Sequence, residues 1–357
     1  MSQAPLRLAI AGANAERGWA KDAHLPALST LPGYSLYAVS GRTQDMAEAA
    51  KAAWGAERAY DDSLAMVRDP AVDVVAVTCK VPEHRAIVLA ALEAGKHVYC
   101  EWPLGRDVSE AEEMAAAARA AGTHVAIGLQ GANSAAVRDA AARVSSGAIG
   151  LPTNLRVVSP TAGWGRVAPP FYAYLQDRRN GATLATIAGG HTLAMVEAVV
   201  GPYVEVSARN SILFPEVEIA GTGERVARTC SDHMIITGLH ASGCVSVVEV
   251  VAGEPDLALH FELRGSTGRL GITGYHPGGY QCAVLSLTGE HAAPAATPAA
   301  GVPTQAINVA QVYAALERDI RTGSRTAPDF DRAVSLARLL EAIDRSSDEH
   351  RTIRTSP

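Results

Sequence analysis

Cysteine is scarce in this sequence, and no two cysteines are spaced Cys-x-x-Cys. The five present, Cys79, Cys100, Cys230, Cys244 and Cys282, are odd in number and scattered over 357 residues. That distribution indicates neither a disulfide framework nor a zinc site, so the thiols are expected to be reduced and structural and no metal is assigned. Basic residues are not in excess either: 31 Lys and Arg stand against 37 Asp and Glu, a formal charge of -6. Direct nucleic-acid binding, which needs positive charge to displace counterions from the phosphates, is therefore not expected. Long apolar runs are also missing. The run around Val72–Val77 falls far short of the roughly 20 residues that cross a bilayer, and Met1–Pro5 carries no secretory pattern. The expectation is a cytoplasmic protein with no membrane partner.

What is present is 48% hydrophobic and 19% charged residues, in a chain longer than the roughly 250 to 300 residues at which single cores stop growing. Two domains are expected. From Leu6 to about Ile127 short apolar runs (Leu6–Ala11, Leu36–Val39, Val72–Val77, His97–Cys100, His124–Ile127) alternate with amphipathic, Ala-rich segments such as Asp45–Trp54, Pro82–Ala94 and Ser109–Ala121. Strands without polar alternation, separated by helices, predict a doubly wound parallel sheet covered on both faces. After Gly150 the texture changes to runs with period-two character: Thr153–Ser159, Tyr203–Ser211, Met234–Leu239, Cys244–Val251 and Leu257–Arg264. These predict a large, mostly antiparallel open sheet, with helices at Ser134–Ser146, His191–Val200 and Ala306–Arg321. The fold class is α/β: a Rossmann domain over residues 1–128 and an α/β domain for substrate and oligomer contacts over 129–357, whose last helix can return to the first domain. Ala292–Pro303, rich in Ala, Pro and Gly, is expected to be an exposed, mobile loop.

The segment Gly12-Ala13-Asn14-Ala15-Glu16-Arg17-Gly18-Trp19 follows the first strand and opens the first helix. There, backbone N–H groups and the helix dipole can hold a pyrophosphate. It departs from G-x-G-x-x-G, since Asn14 replaces the second Gly and one extra residue precedes Gly18. Asn is the non-Gly residue that best tolerates positive φ. The second strand ends Val39-Ser40-Gly41-Arg42-Thr43, with no acid to bind a ribose diol. Ser40 and Arg42 suit a 2'-phosphate, which favours NADP over NAD; the competing reading makes Arg42 a solvated surface residue.

Gly95-Lys96-His97-Val98-Tyr99-Cys100-Glu101-Trp102-Pro103-Leu104 resembles the AGKHVLCEKPL stretch of the glucose-fructose oxidoreductase/inositol dehydrogenase family. The nucleotide turn ending Gly18-Trp19-Ala20, Glu101-Trp102, Leu129-Gln130-Gly131, Gly163-Trp164 and Gly190-His191-Thr192 are similar to the branch of that family that includes fungal galactose-regulon repressors. The resemblance implies a Rossmann domain followed by an α/β domain with an open sheet, and an NAD(P) cofactor. It places the first-turn residues Gly12, Ala13, Asn14, Gly18 and Trp19, the loop Thr78-Cys79-Lys80, His84, Glu101, Trp102 and Gln130 near that cofactor. Glu101 is expected to act structurally, through backbone amides of its turn. Family enzymes complete the site with the Lys of Glu-Lys-Pro and with an Asp four residues before the His. Here those positions hold Trp102 and Ile187, so the usual machinery is not carried over intact.

The residues left to handle a proton are few. His191, with its near-neutral intrinsic pKa, is the first candidate base for oxidising an alcohol; alternatively it only hydrogen-bonds cofactor or substrate. Lys80 could replace the charge lost at position 102, or be an exposed loop lysine. Trp102 is a stacking wall or a buried aromatic that closes its turn. Trp164 is a second platform, Arg166 could meet an anionic substrate group, and Tyr172 and Tyr174 are candidate hydroxyl donors, Tyr174 the candidate acid. Asp232-His233 lacks a third ligand nearby in sequence. Three functions fit: an NAD(P)-dependent oxidoreductase for a sugar or polyol-like molecule, a glycoside-cleaving variant that oxidises transiently, and a non-catalytic dinucleotide-responsive regulator. A homodimer or homotetramer is expected, because the apolar face of an open sheet must be covered.

Overall fold

The computed structural model describes residues 4–290, 292 and 300–355. Leu6–Ala11 (β1), Tyr34–Ser40 (β2), Arg58–Tyr60 (β3), Val74–Val77 (β4), His97–Cys100 (β5) and Val125–Ile127 (β6) form a parallel sheet in the order β3-β2-β1-β4-β5-β6. The β-branched run Val74–Val77 is wholly buried, as a strand covered on both faces requires. Strand order reverses between β1 and β4, and in doubly wound folds ligands bind beyond the carboxyl ends of the strands at that reversal.

The crossovers are helices, several of them closed by side-chain and glycine caps. Gln44–Trp54 (α2, after the short α1 at Leu25–Leu28) starts where Thr43 Oγ1 accepts from Met46 N, and it ends at Gly55 with φ +72°. Ser63–Val67 (α3) and Val81–Glu93 (α4) follow, and Val108–Ala121 (α5) is capped by Asp107 and closed by Gly122. Each cap satisfies backbone groups the helix leaves orphaned, worth about 1 kcal/mol.

The chain divides into two compact units, Met1–Gln130 with Pro298–Val334 and Gly131–Thr297 with Ser335–Pro357. Helix Ala135–Ser145 (α6), capped by Ser134, opens the second. The strands there are Pro152–Thr161 (β7), Val167–Ala168 (β8), Tyr203–Ser211 (β9), Glu216–Ile219 (β10), Arg225–Ala227 (β11), His233–His240 (β12), Val245–Ala252 (β13), Leu259–Gly265 (β14), Arg269–Gly274 (β15), Ser286–Gly289 (β16) and Ile353–Arg354 (β17). Eight of them form one sheet, β16-β15-β14-β7-β13-β12-β9-β17, antiparallel except where β7 meets β13; β11-β10-β8 make a small separate sheet. Gly190–Val200 (α7) lies between β8 and β9.

Thr304–Thr322 (α8) belongs to the first unit although it follows the second in sequence. Its Val309, Val312, Tyr313 and Leu316 share one buried cluster with Leu8, Ile10 and Tyr99, so the stretch 129–357 is not all second-unit structure. Phe330–Glu349 (α9) was not among the expected elements. Residues 293–299 of the expected loop at Ala292–Pro303 lie outside the described residues. Among the described residues no helix is long and apolar enough to cross a membrane.

Candidate functional site

In the first unit the candidates gather at the carboxyl ends of β1, β2, β4 and β5. Gly12 has φ +97°, and a Cβ there would stand 2.8 Å from Cys79 N, so the first turn lies directly on the turn after β4. Thr78 joins the two turns by donating both N–H (3.0 Å) and hydroxyl (2.7 Å) to Ala11 O. Gly12 and Ala13 N–H groups go to Ser40 O at 3.1 and 2.8 Å. Asn14 is not a positive-φ residue. It shapes the turn with its side chain instead, Oδ1 accepting from Glu16 N and Arg17 N at 2.9 and 3.2 Å, an Asx-type bond. Gly18 carries the second left-handed position, φ +104°.

Several candidates have other work than expected. Ser40 is wholly buried and its Oγ lies 2.8 Å from Ser63 Oγ, so a direct role on a 2'-phosphate falls away. Arg42 is exposed just beyond it. His84 is 1% exposed and both ring nitrogens face backbone carbonyls: Nε2 with Cys79 O at 3.1 Å, Nδ1 with Pro103 O at 3.0 Å. It braces the turns after β4 and β5 rather than touching a cofactor, and burial pushes its pKa down. Glu101 does not bind turn amides; its Oε1 meets His24 Nε2 at 2.9 Å, while His24 Nδ1 meets the Tyr313 hydroxyl at 2.7 Å. Tyr313 stacks on Tyr99, so α8 reaches the underside of the Glu101 turn. Trp102 is buried, with a cis bond to Pro103. Lys80 is exposed at the start of α4. Burial pushes the Cys79 thiol up, which disfavours its thiolate.

Four buried side-chain polar atoms of this unit have no hydrogen-bond partner, Trp19 Nε1, Tyr99 Oη, Thr123 Oγ1 and Gln130 Oε1, and of these Trp19 and Gln130 belong to the segments expected near a cofactor. Buried polar groups are nearly always satisfied, so both are candidates for ligand contact. Trp19 Nε1, by the first turn at the reversal point of the sheet, and Gln130 Oε1, beyond β6, are groups that a dinucleotide there would satisfy.

In the second unit, one irregular turn (Ala185–Gly189) leads into α7, and Thr192 Oγ1 anchors that helix to β7 through Ser159 Oγ at 2.8 Å. His191, on the first turn of α7, is 3% exposed, and its Nδ1 has no hydrogen-bond partner. Burial alone pushes its pKa down to about 3, so the imidazole is neutral. Its carbonyl accepts from the hydroxyl of Tyr280, a residue the sequence reading missed. Ile187, one turn earlier, is half-buried.

Trp164 has φ +56°, and its indole N–H donates to Leu175 O at 3.3 Å. Arg166 is exposed, with its guanidinium 4.3 Å above the Phe214 ring; that stacking uses the flat face of the guanidinium and leaves its N–H edge in the plane of the group. Tyr172 is exposed beside Phe171, and Tyr174 is half-buried on the same turn, Pro170–Gln176. Asp232 and His233 point to different partners, Arg228 at 2.7 Å and Glu249 at 2.8 Å.

Residues 6–129 match the model of an oxidoreductase family with an NAD-binding Rossmann fold, and residues 135–274 match that of the Gal80p C-terminal domain. The chain is 34% identical over 228 residues to the dehydrogenase aclE of Aspergillus oryzae, covering 61% of each. It thus spans about three fifths of that relative's length. It is 26% identical over 296 residues to the galactose/lactose metabolism regulatory protein GAL80 of Saccharomyces cerevisiae, covering 76% of this chain and 67% of the other. A crystal structure of a super-repressor mutant of Gal80p from that yeast superposes with a TM-score of 0.88 at 21% identity over 98% of both chains. Residues 6–129 are thus similar to an NAD-binding oxidoreductase family and residues 135–274 to the Gal80p C-terminal domain, and the fold is shared with Gal80p.

Proposed function

We propose that this chain is an NAD(P)-dependent oxidoreductase that acts on a sugar- or polyol-like alcohol, with His191 handling the hydroxyl proton. The observation that carries this reading is a buried, neutral imidazole whose Nδ1 has no protein partner. An unpaired nitrogen in such a place costs stability unless something else binds it, and a substrate hydroxyl fits. Burial is the cause of its lowered pKa. A dinucleotide would lie against the turns of Gly12, Ala13, Gly18, Trp19, Thr78 and Gln130 and would supply the hydride acceptor; the Gly12, Ala13 and Thr78 donors already shape those turns. Trp102 of the first unit and Trp164 of the second are each candidate aromatic contacts, and Lys80 and Tyr174 are secondary candidates for donating a proton. With Ser40 tied to Ser63, the preference for NADP rests on the exposed Arg42 and on the lack of an acid at the end of β2.

Tryptophan fluorescence titration with NADPH and NADH, followed by a sugar and polyol panel read at the reduced-nicotinamide absorbance, tests the proposal. His191→Ala should retain cofactor affinity within about threefold and lose at least 100-fold in kcat, the usual scale of a general base. Arg42→Ala should weaken NADPH about tenfold, as loss of a phosphate contact does, and leave NADH unchanged. Equal losses for both cofactors would remove the NADP preference.

The replacements at Trp102 and Ile187, together with the likeness to a regulatory protein, favour a second reading. In it the chain is a dinucleotide-responsive regulator with a protein partner. Tight cofactor binding without turnover on the whole panel would select it. Aglycone release without net NADPH would select the glycoside-cleaving variant.

A further inference from the structure

We infer that the buried Arg228–Asp232 ion pair is the positioning device of the substrate-side loop, holding Trp164 in a backbone conformation it would not keep alone. The inference rests on reading Trp164 as a substrate platform, and its test reads the loop directly, so the two can fail separately.

The pair is sealed from solvent, with side chains 0% and 1% exposed. A buried ion pair is a poor source of stability, since apolar residues of the same shape often do as well, so its connections are more informative than its presence. Arg228 spends its donors in three directions: Nη1 to Asp232 Oδ2 at 2.7 Å, Nε to Gln176 Oε1 at 2.9 Å and Nη2 to Gly165 O at 2.6 Å. Asp232 spends its carboxylate on the backbone N–H groups of Leu213 (2.7 Å) and Phe214 (2.9 Å). Three other segments, at Gly165, Gln176 and Leu213–Phe214, are thereby tied to one buried point.

Those segments carry the second-unit candidates. Gly165 lies between Trp164 and Arg166; Gln176 ends the turn that bears Tyr172 and Tyr174; Phe214 is the ring beneath Arg166. Trp164 has φ +56°, a region that bulky residues avoid and that persists only where surroundings over-determine it. Here the surroundings are named: Arg228 grips the next carbonyl, Leu175 O receives the indole N–H, and Gly253 N–H donates to Gly163 O at 3.0 Å. A planar fork is required, because an ammonium cannot serve three acceptors set around one plane.

The test compares the native chain and Arg228→Lys, each with and without Trp164→Phe, so that the difference spectrum isolates Trp164. Acrylamide is the quencher, and thermal unfolding is followed by circular dichroism. Arg228→Lys should shift the Trp164 emission to longer wavelength and raise its quenching constant at least twofold below the unfolding transition. A purely structural pair would lower Tm with Trp164 protection unchanged, and that result would overturn the inference. Should Arg228→Lys not fold, the apolar pair Arg228→Met with Asp232→Leu keeps the space filled; native-like Trp164 protection there would overturn it equally.

Discussion

At the scale of single residues, His191 combines two properties that set its behaviour with pH. Burial holds its folded pKa near about 3, against an ordinary imidazole value of 6.5. The unfolded chain therefore takes up the proton first. The stability this group contributes is fully present above pH 6.5 and falls as pH drops below it, by ~1.4 kcal/mol per pH unit, until the folded form protonates. His84 and His240 are pushed down in the same sense, whereas carboxylates held low, such as Glu110, titrate further into acid. Thermal unfolding between pH 7 and 5 should show Tm falling, and His191→Gln should make that fall shallower; an identical slope would mean that the imidazole is solvated. His191 was legible from Gly190-His191-Thr192, a contiguous motif. Tyr280, 89 residues away, and Arg228, 63 residues from Gly165, were not. Their contacts come from strand order, which no local spacing encodes.

Among the elements, the first turn carries the sharpest expectation. Gly12→Ala places a methyl 2.8 Å from Cys79 N at φ +97°. That should cost about 1–3 kcal/mol and abolish NADH binding in a fluorescence titration. Gly147 is also left-handed, at φ +77°, but a Cβ there meets nothing within 4 Å. Gly147→Ala should therefore cost about 1 kcal/mol with NADH affinity intact, and a matching loss of binding in both variants would detach the effect from the first turn. The helices of the first unit were readable because their amphipathic, Ala-rich spacing is local; the structure adds the caps that end them, Thr43 with Gly55 and Asp107 with Gly122. The tight turn before α7 and the small sheet β11-β10-β8 were not. Strands of two to four residues leave too little pattern to read. Helix α9 did have an apolar spacing, Leu336, Leu339, Leu340 and Ile343, all buried, and was legible in principle. Asn14 and Ser40 show the opposite limit: residue type named the turn but not whether side chain or backbone would serve it.

For the whole molecule, the large sheet presents Ile235, Val245 and Val247 on its outer face, 42%, 51% and 44% exposed on neighbouring strands. Exposed aliphatics on one sheet face, here interspersed with Thr237 and Glu249, are the kind of surface a second copy can cover, and we propose a homo-oligomer that pairs these faces. Val247→Glu should shift the species seen by sedimentation velocity to the monomer without changing NADH affinity. A native chain that already sediments as a monomer would reject the pairing. The division into units has a different consequence, one that concerns time. When Gln130 leaves the ribosome, all strands of the parallel sheet have been made, yet Val309, Val312, Tyr313 and Leu316 of its core cluster have not. During translation the nascent first unit must keep Tyr99 and His24 uncovered while the whole of the large sheet's main body is synthesised. That makes the interval before Thr304–Thr322 emerges the period in which this chain has most need of a chaperone.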